Sequence, residues 1–208
     1  MRVKLSLGAL SALSLMLPAC TSLGGGYGYG SEYSLVRTQR VRVGNGSLSV
    51  QPPRAWNRHR PILFEDVRQV EDWTLNGPLL DGMSFVTGLG NGKSLIRQRR
   101  SASEQVPLFR SNMTPPEIAA MIESLYRVRG GAVDFRTVSL QPRPFLGTGG
   151  FQLDYEHLDG DELWRRGRVV GTVVGGRLYM VLLDAAKSHY YDAALPDFEA
   201  TVASARLS

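Results

Sequence analysis

Asp154, Glu156, His157, Asp159, Asp161 and Glu162 form the densest group of titratable side chains in the sequence, the residue types that ligate metals or trade protons. Their spacing matches no calcium or zinc loop. Strand alternation sends Asp154 and Glu156 to one face and Tyr155 and His157 to the other, so these two carboxylates do not converge with the imidazole. Asp154 is expected opposite Arg165 or Arg166 across the next turn, a cross-strand ion pair worth at most about 1 kcal/mol. A structural ion pair and a polar turn account for the group without a metal. A second group, Lys187-Ser188-His189-Tyr190-Tyr191-Asp192, holds a hydroxyl, an imidazole and a carboxylate. Neighbours in sequence rarely make a triad, however, and there is no Gly-x-Ser-x-Gly elbow. Two aromatic rings, a cation and a histidine in one connecting segment suit recognition, which makes Lys187, His189, Tyr190 and Tyr191 the candidate binding residues. Gly88-Leu89-Gly90-Asn91-Gly92-Lys93-Ser94 imitates a phosphate loop, but Thr87 stands where the first glycine is needed. Leu95 to Arg100 then reads as a strand, without the helix N-terminus that would hold the phosphate. No catalytic residue, metal site or cofactor is assigned. An envelope hydrolase using His189 or His157 with nearby carboxylates is the alternative reading.

The single cysteine, Cys20, follows a basic start (Arg2, Lys4) and an apolar run from Leu5 to Leu17. That run is short of the roughly 20 residues a spanning helix needs and matches the length of a signal-peptide core. The layout Leu17-Pro18-Ala19-Cys20 resembles the lipobox of a bacterial lipoprotein, with Pro18 where Ala or Ser is usual. The resemblance implies cleavage after Ala19 and lipidation of Cys20; secretion to the periplasm with a free thiol is the alternative. Thr21 and Ser22 follow the cysteine in place of an aspartate, which by the same resemblance implies the periplasmic face of the outer membrane. Residues 1–19 are thus read as a signal peptide, 20–32 as a glycine-rich tether with a reach of roughly 20 Å, and 33–208 as one globular domain.

That domain is ordinary in composition, 43% hydrophobic and 21% charged over the whole chain. The formal charge of +5 falls by two, to +3, when Arg2 and Lys4 leave with the signal. Arginine supplies nearly all of the positive charge, lysine occurring only at Lys4, Lys93 and Lys187. Between Tyr33 and Arg60 stand Arg37, Arg40, Arg42, Arg54, Arg58 and Arg60 with no acid among them. A solvated strand face explains these, and contact with an anionic envelope component is the sharper alternative. Nothing in the charge pattern points to nucleic acid.

Turn residues divide the domain into hairpins. Asn45-Gly46 suggests a two-residue type I′ turn, with Val43 opposite Leu48 and Val41 opposite Val50. Asn91-Gly92 should join a strand over 83–89 to one over 94–99, and Asp159-Gly160 one over 151–157 to one over 163–174. Gly175-Gly176 should fold that last strand onto Leu178 to Leu183, whose two alternating faces are both apolar, as in a strand covered on both sides. A helix is expected from Thr114-Pro115-Pro116-Glu117, capped by Thr114 and Glu117, with Ile118, Met121, Ile122 and Leu125 inward and Gly130 as its stop. A second is expected from Pro196 to Arg206, burying Phe198, Val202 and Ala205.

The fold class that follows is α+β, an antiparallel sheet of hairpins with a mid-chain and a C-terminal helix. The early hairpin followed by Pro53-Arg54-Ala55-Trp56, together with Gly176 to Leu183 and Leu195 to Leu207, resembles the PsbP-like family. The resemblance implies an α/β/α sandwich and an accessory or binding role, with no enzymatic activity to carry over.

Overall fold

The computed structural model describes residues 32–59, 67–98 and 105–208. Cys20, the signal, the tether up to Ser31, and Arg60, Arg99 and Arg100 lie outside the described residues. Ser31–Ser208 forms one compact unit. Its main sheet has eight antiparallel strands. In chain order these are β1 (Tyr33–Val36), β4 (Trp56–His59), β5 (Val70–Thr74), β6 (Asp81–Leu89), β7 (Asp134–Pro142), β8 (Phe151–Leu158), β9 (Trp164–Val174) and β10 (Arg177–Ala186). Across the sheet they run β1-β4-β5-β6-β10-β9-β8-β7. A small second sheet places β3 (Leu48–Val50) between β2 (Val41–Val43) and β11 (Arg206–Leu207). The helices are α1 (Pro115–Arg129) and α2 (Tyr190–Ser204).

Strand β10 organises the two cores. Leu178, Met180 and Leu182 join Ile118, Met121 and Ile122 of α1 in one apolar cluster, while Tyr179, Val181 and Leu183 join Tyr191, Ala194 and Phe198 of α2 in the other. Period-two alternation thus delivers successive side chains to opposite helices, the α/β/α arrangement expected of a strand apolar on both faces. Each fully buried aliphatic side chain on it contributes about 1.5–3 kcal/mol. Trp56 and Trp73 are buried in the α2-side cluster, which also takes in Val43, Leu48 and Val50 of the small sheet.

Several sequence expectations hold. Val43 pairs with Leu48 and Val41 with Val50. Val174 pairs with Arg177 around Gly175 and Gly176, both at positive φ. Glu117 accepts hydrogen bonds from the backbone N–H (2.7 Å) and the hydroxyl (2.8 Å) of Thr114 at the start of α1.

Others are corrected. The first turn spans four residues: Gly44 and Gly46 take positive φ, Asn45 does not, and the Asn45 side chain accepts from Ser47 N (3.0 Å). It is therefore not type I′. The stretch from Ser94 to Gln98 is not a strand, because β5 and β10 already occupy both edges of β6 and leave it no ladder to join. Leu95 instead packs into the cluster beneath α1. Helix α2 begins at Tyr190, six residues before Pro196. Burial of Tyr191 and Ala194 outweighs the single backbone hydrogen bond that an internal proline removes. The helix ends at Ser204, and Arg206 passes into β11.

Candidate functional site

On the α1 side of the sheet, three adjacent strands bring polar groups together. His157 lies opposite Arg165, and Gly167 lies opposite Tyr155 on one side and Asp184 on the other. Because Gly167 has no side chain, the Tyr155 ring crosses β9 and its hydroxyl reaches Asp184 Oδ2 at 3.0 Å. A Cβ at position 167 would stand 2.0 Å from Tyr155 Cζ. Asp184 Oδ2 also meets His157 Nε2 at 2.9 Å, and Arg165 donates to Oδ1 at 2.5 Å and to the Leu79 carbonyl at 2.7 Å. Tyr126 of α1 completes the chain, its phenol oxygen 2.6 Å from that of Tyr155.

Burial alone would raise the Asp184 carboxyl, but the hydrogen bond to His157 and the Arg165 charge outweigh it and hold the group below the usual carboxylate range. Burial, reinforced by the Asp184 charge, pushes both phenols well up and keeps them neutral. Asp159 sits 2.8 Å from His157 Nδ1 at ion-pair distance, without the alignment of a hydrogen bond. With a carboxylate against each ring nitrogen and 1% exposure, His157 has no free nitrogen turned to solvent. The cluster can hold α1 to the sheet and fix the strand ends.

The sequence grouping separates accordingly. Asp154 and Glu156 do face away from His157, but Asp159 does meet it. Asp154 pairs with Arg168, not Arg165 or Arg166, because the turn takes five residues and Leu158 lies opposite Trp164. On that α2 side Arg168 also reaches Glu199, which Arg143 holds from its other flank at 2.6 Å, so the network pins α2 to the sheet. Burial works against ionised Asp154 and Glu199, and hydrogen bonds from the arginines overcome it, lowering both carboxyls. Among the described residues no group of three or more His, Cys, Asp or Glu is placed to hold a metal ion.

Beside the Asp184 cluster, a cavity of about 660 Å³ opens between α1 and the sheet, lined by Leu79, Leu125 and Leu182 and edged by Tyr126, Arg165 and Asp184. The cavity, Asp184 and Tyr126 are not picked out in the sequence, and Arg165 is named there only as a possible partner of Asp154. The one signal was Asp184, a carboxylate closing an apolar strand on the same face as Met180 and Leu182.

The candidate binding residues divide. Lys187, which donates to Glu156 at 2.8 Å, and His189 are exposed, and Tyr190 is half-buried with its ring edge-on to His189. Tyr191 is 1% exposed beneath the Arg166 guanidinium, and its hydroxyl is buried without a hydrogen-bond partner. Three of the four thus reach solvent. His189 holds φ at 120°, a left-handed backbone that a non-glycine residue adopts at a cost of about 1–3 kcal/mol.

No protein-family model matches the chain, and no curated protein matches it. Among solved structures, the cyanobacterial PsbP (CyanoP) of Synechocystis sp. PCC 6803 matches with a TM-score of 0.55 at 16% identity, over 89% of this chain and 99% of that one. A Bacteroides thetaiotaomicron structure matches at TM-score 0.48 and 6% identity over 83% of this chain and 49% of that one. LpqN of Mycobacterium tuberculosis, a protein involved in cell envelope biogenesis, matches at TM-score 0.33 and 10% identity, over 86% and 87%. The first match, together with the sandwich described above, shows that the domain has the PsbP-like fold. Among the described residues no helix is long and apolar enough to cross a membrane.

Proposed function

We propose that this protein is a non-catalytic accessory domain of the cell envelope, tethered by a lipid on Cys20 to the periplasmic face of the outer membrane, where it binds an envelope partner. The observation that carries the non-catalytic reading is the enclosure of His157. The imidazole best furnished with carboxylates is closed off by Asp159, Asp184 and the rings of Tyr126 and Tyr155. The solvent-facing part of the recognition loop, Lys187, His189 and Tyr190, is the surface assigned to the partner, since aromatic and cationic side chains on a firm platform concentrate binding energy. The resemblance of Leu17 to Cys20 to a lipobox supports the anchor.

Two experiments test the parts separately. Cys20→Ala should leave an unprocessed precursor that takes up no labelled palmitate; acylation at the wild-type level would refute the anchor. Crosslinking in intact cells should capture a partner that is lost with Tyr190→Ala at unchanged thermal stability. Capture that falls only when stability falls would make the loop a structural lid.

A further inference from the structure

We infer that the outer face of the small sheet is a docking surface for anionic phospholipid headgroups. The register places Arg42 of β2 and Arg206 of β11 on either side of Ser49, so both guanidinium groups stand on the solvent side of the sheet while Val41, Val43, Leu48 and Val50 turn inward. Arg37 and Arg40, just before β2, are also exposed, and Arg40 spends one N–H on the Ser204 carbonyl.

Elsewhere many of the arginines meet a carboxylate, while among the described residues Arg68, Lys93, Arg166 and Arg177 stand singly without one. Arg58 pairs with Glu71, Arg110 with Glu117, Arg127 with Glu123, Arg136 with Asp134, Arg143 with Glu199 and Arg168 with Asp154. Among the described residues Arg37, Arg40, Arg42 and Arg206 have no carboxylate partner. The guanidinium groups of Arg42 and Arg206, which share one face, with Arg37 and Arg40 exposed just before β2, are matched by an array of phosphates, which each fork can engage bidentately. Arg37 also follows the glycine-rich tether by only a few residues of sequence. The inference rests on the anchored-envelope reading for its biological setting, though the face is defined by residues of the domain alone.

Both apolar cores lie within residues 31–208, and this domain, purified without the anchor, is the test protein. It should co-sediment with phosphatidylcholine vesicles only when they contain phosphatidylglycerol, and less at higher salt. Arg42→Gln with Arg206→Gln should weaken binding about 30-fold, which is about 2 kcal/mol at 1.4 kcal/mol per tenfold. Arg42→Lys with Arg206→Lys keeps the charge but not the fork and should bind more tightly than the glutamine pair and less tightly than the wild type. Arg110→Gln with Arg127→Gln removes the same charge on the α1 side and should change binding by less than about threefold. Melting temperatures of all variants exclude misfolding as the cause. The proposal is overturned if the wild-type domain ignores phosphatidylglycerol, or if both double glutamine variants lose binding equally, which would mean bulk charge alone. A domain that binds these vesicles while Cys20 takes up no palmitate would keep this face and refute the anchor; the reverse pair of results would do the opposite.

Discussion

Gly167→Ala tests whether the Tyr155–Asp184 contact depends on an absent side chain. Intrinsic backbone preference predicts a gain, since replacing a strand-interior glycine by alanine is worth about 0.5–1 kcal/mol. The local geometry predicts a loss. The new Cβ would lie 2.0 Å from Tyr155 Cζ, 2.3 Å from its oxygen and 2.5 Å from Cε1, far inside contact distance. The ring cannot slide freely, because Phe135 stacks on it with centroids 5.1 Å apart and Tyr126 lies at 5.2 Å. Overpacking costs about 1–3 kcal/mol, and pulling the phenol from Asp184 and Tyr126 leaves buried groups unpaired at a further 1–3 kcal/mol or so. Set against the backbone gain, the net loss is about 2–4 kcal/mol, a drop in melting temperature on the order of 10 °C for a domain of this size. Equilibrium urea unfolding of the 31–208 domain measures it. In a Tyr155→Leu background the clash is gone, so the same glycine substitution should cost far less, the gap being the coupling energy of the pair. A Gly167→Ala protein as stable as wild type, or one equally destabilised in both backgrounds, would refute the crossing-ring account.

Three further outcomes follow from the same geometry. Tyr191→Phe removes a buried hydroxyl that has no partner, so unfolding free energy should change by less than about 0.5 kcal/mol or rise, whereas Tyr155→Phe should cost about 1–3 kcal/mol; equal losses would contradict the assignment of partners. His189→Gly should hold or raise the melting midpoint by relieving the left-handed backbone, and a clear fall would mean that the imidazole contributes more than its strain costs. The Asp184 carboxyl is depressed in the folded state, so its stabilisation is fully present above its unfolded value of about 3.9 and is lost as pH falls through the folded value. The stability gap between wild type and Asp184→Asn should therefore be present at pH 5 and shrink as the pH falls below about 4; a gap that persists unchanged in acid would assign the effect to shape, not charge.

The sandwich was legible wherever local pattern and tertiary demand agree. Leu178 to Leu183 reads as a doubly covered strand because both alternating faces are apolar, and each face found its helix. The capping residues of α1 lie within three positions of one another, so the helix start is a local matter. Failures occurred where a distant partner decides. Ser94 to Gln98 has the residues of a strand but no free edge to pair with, and nothing local reports that β10, some ninety positions later, fills that edge of β6. Pro196 marks a helix start by propensity, yet the buried ring of Tyr191 extends the helix through it. The Asp184 cluster has the same character: its members come from α1 and three strands, and only the register relation of Tyr155, Gly167 and Asp184 makes them neighbours.

The polar residues best equipped for chemistry are consumed in fastening the two helices. On one face Tyr126 reaches Asp184 through Tyr155, and on the other Glu199 is held between Arg143 and Arg168. A domain without disulfides in its described residues has to define its layers by such contacts, because apolar burial favours compactness without fixing how a helix is rotated on a sheet. The ion pairs in these networks bring opposite charges into mutual satisfaction, so they leave little field at the surface. The small sheet differs: its apolar face is used internally, while Arg42 and Arg206 project outward with no carboxylate among the described residues to neutralise them. A surface charge without an internal partner does no work for the fold, and that is the physical reason to look for its complement outside the molecule.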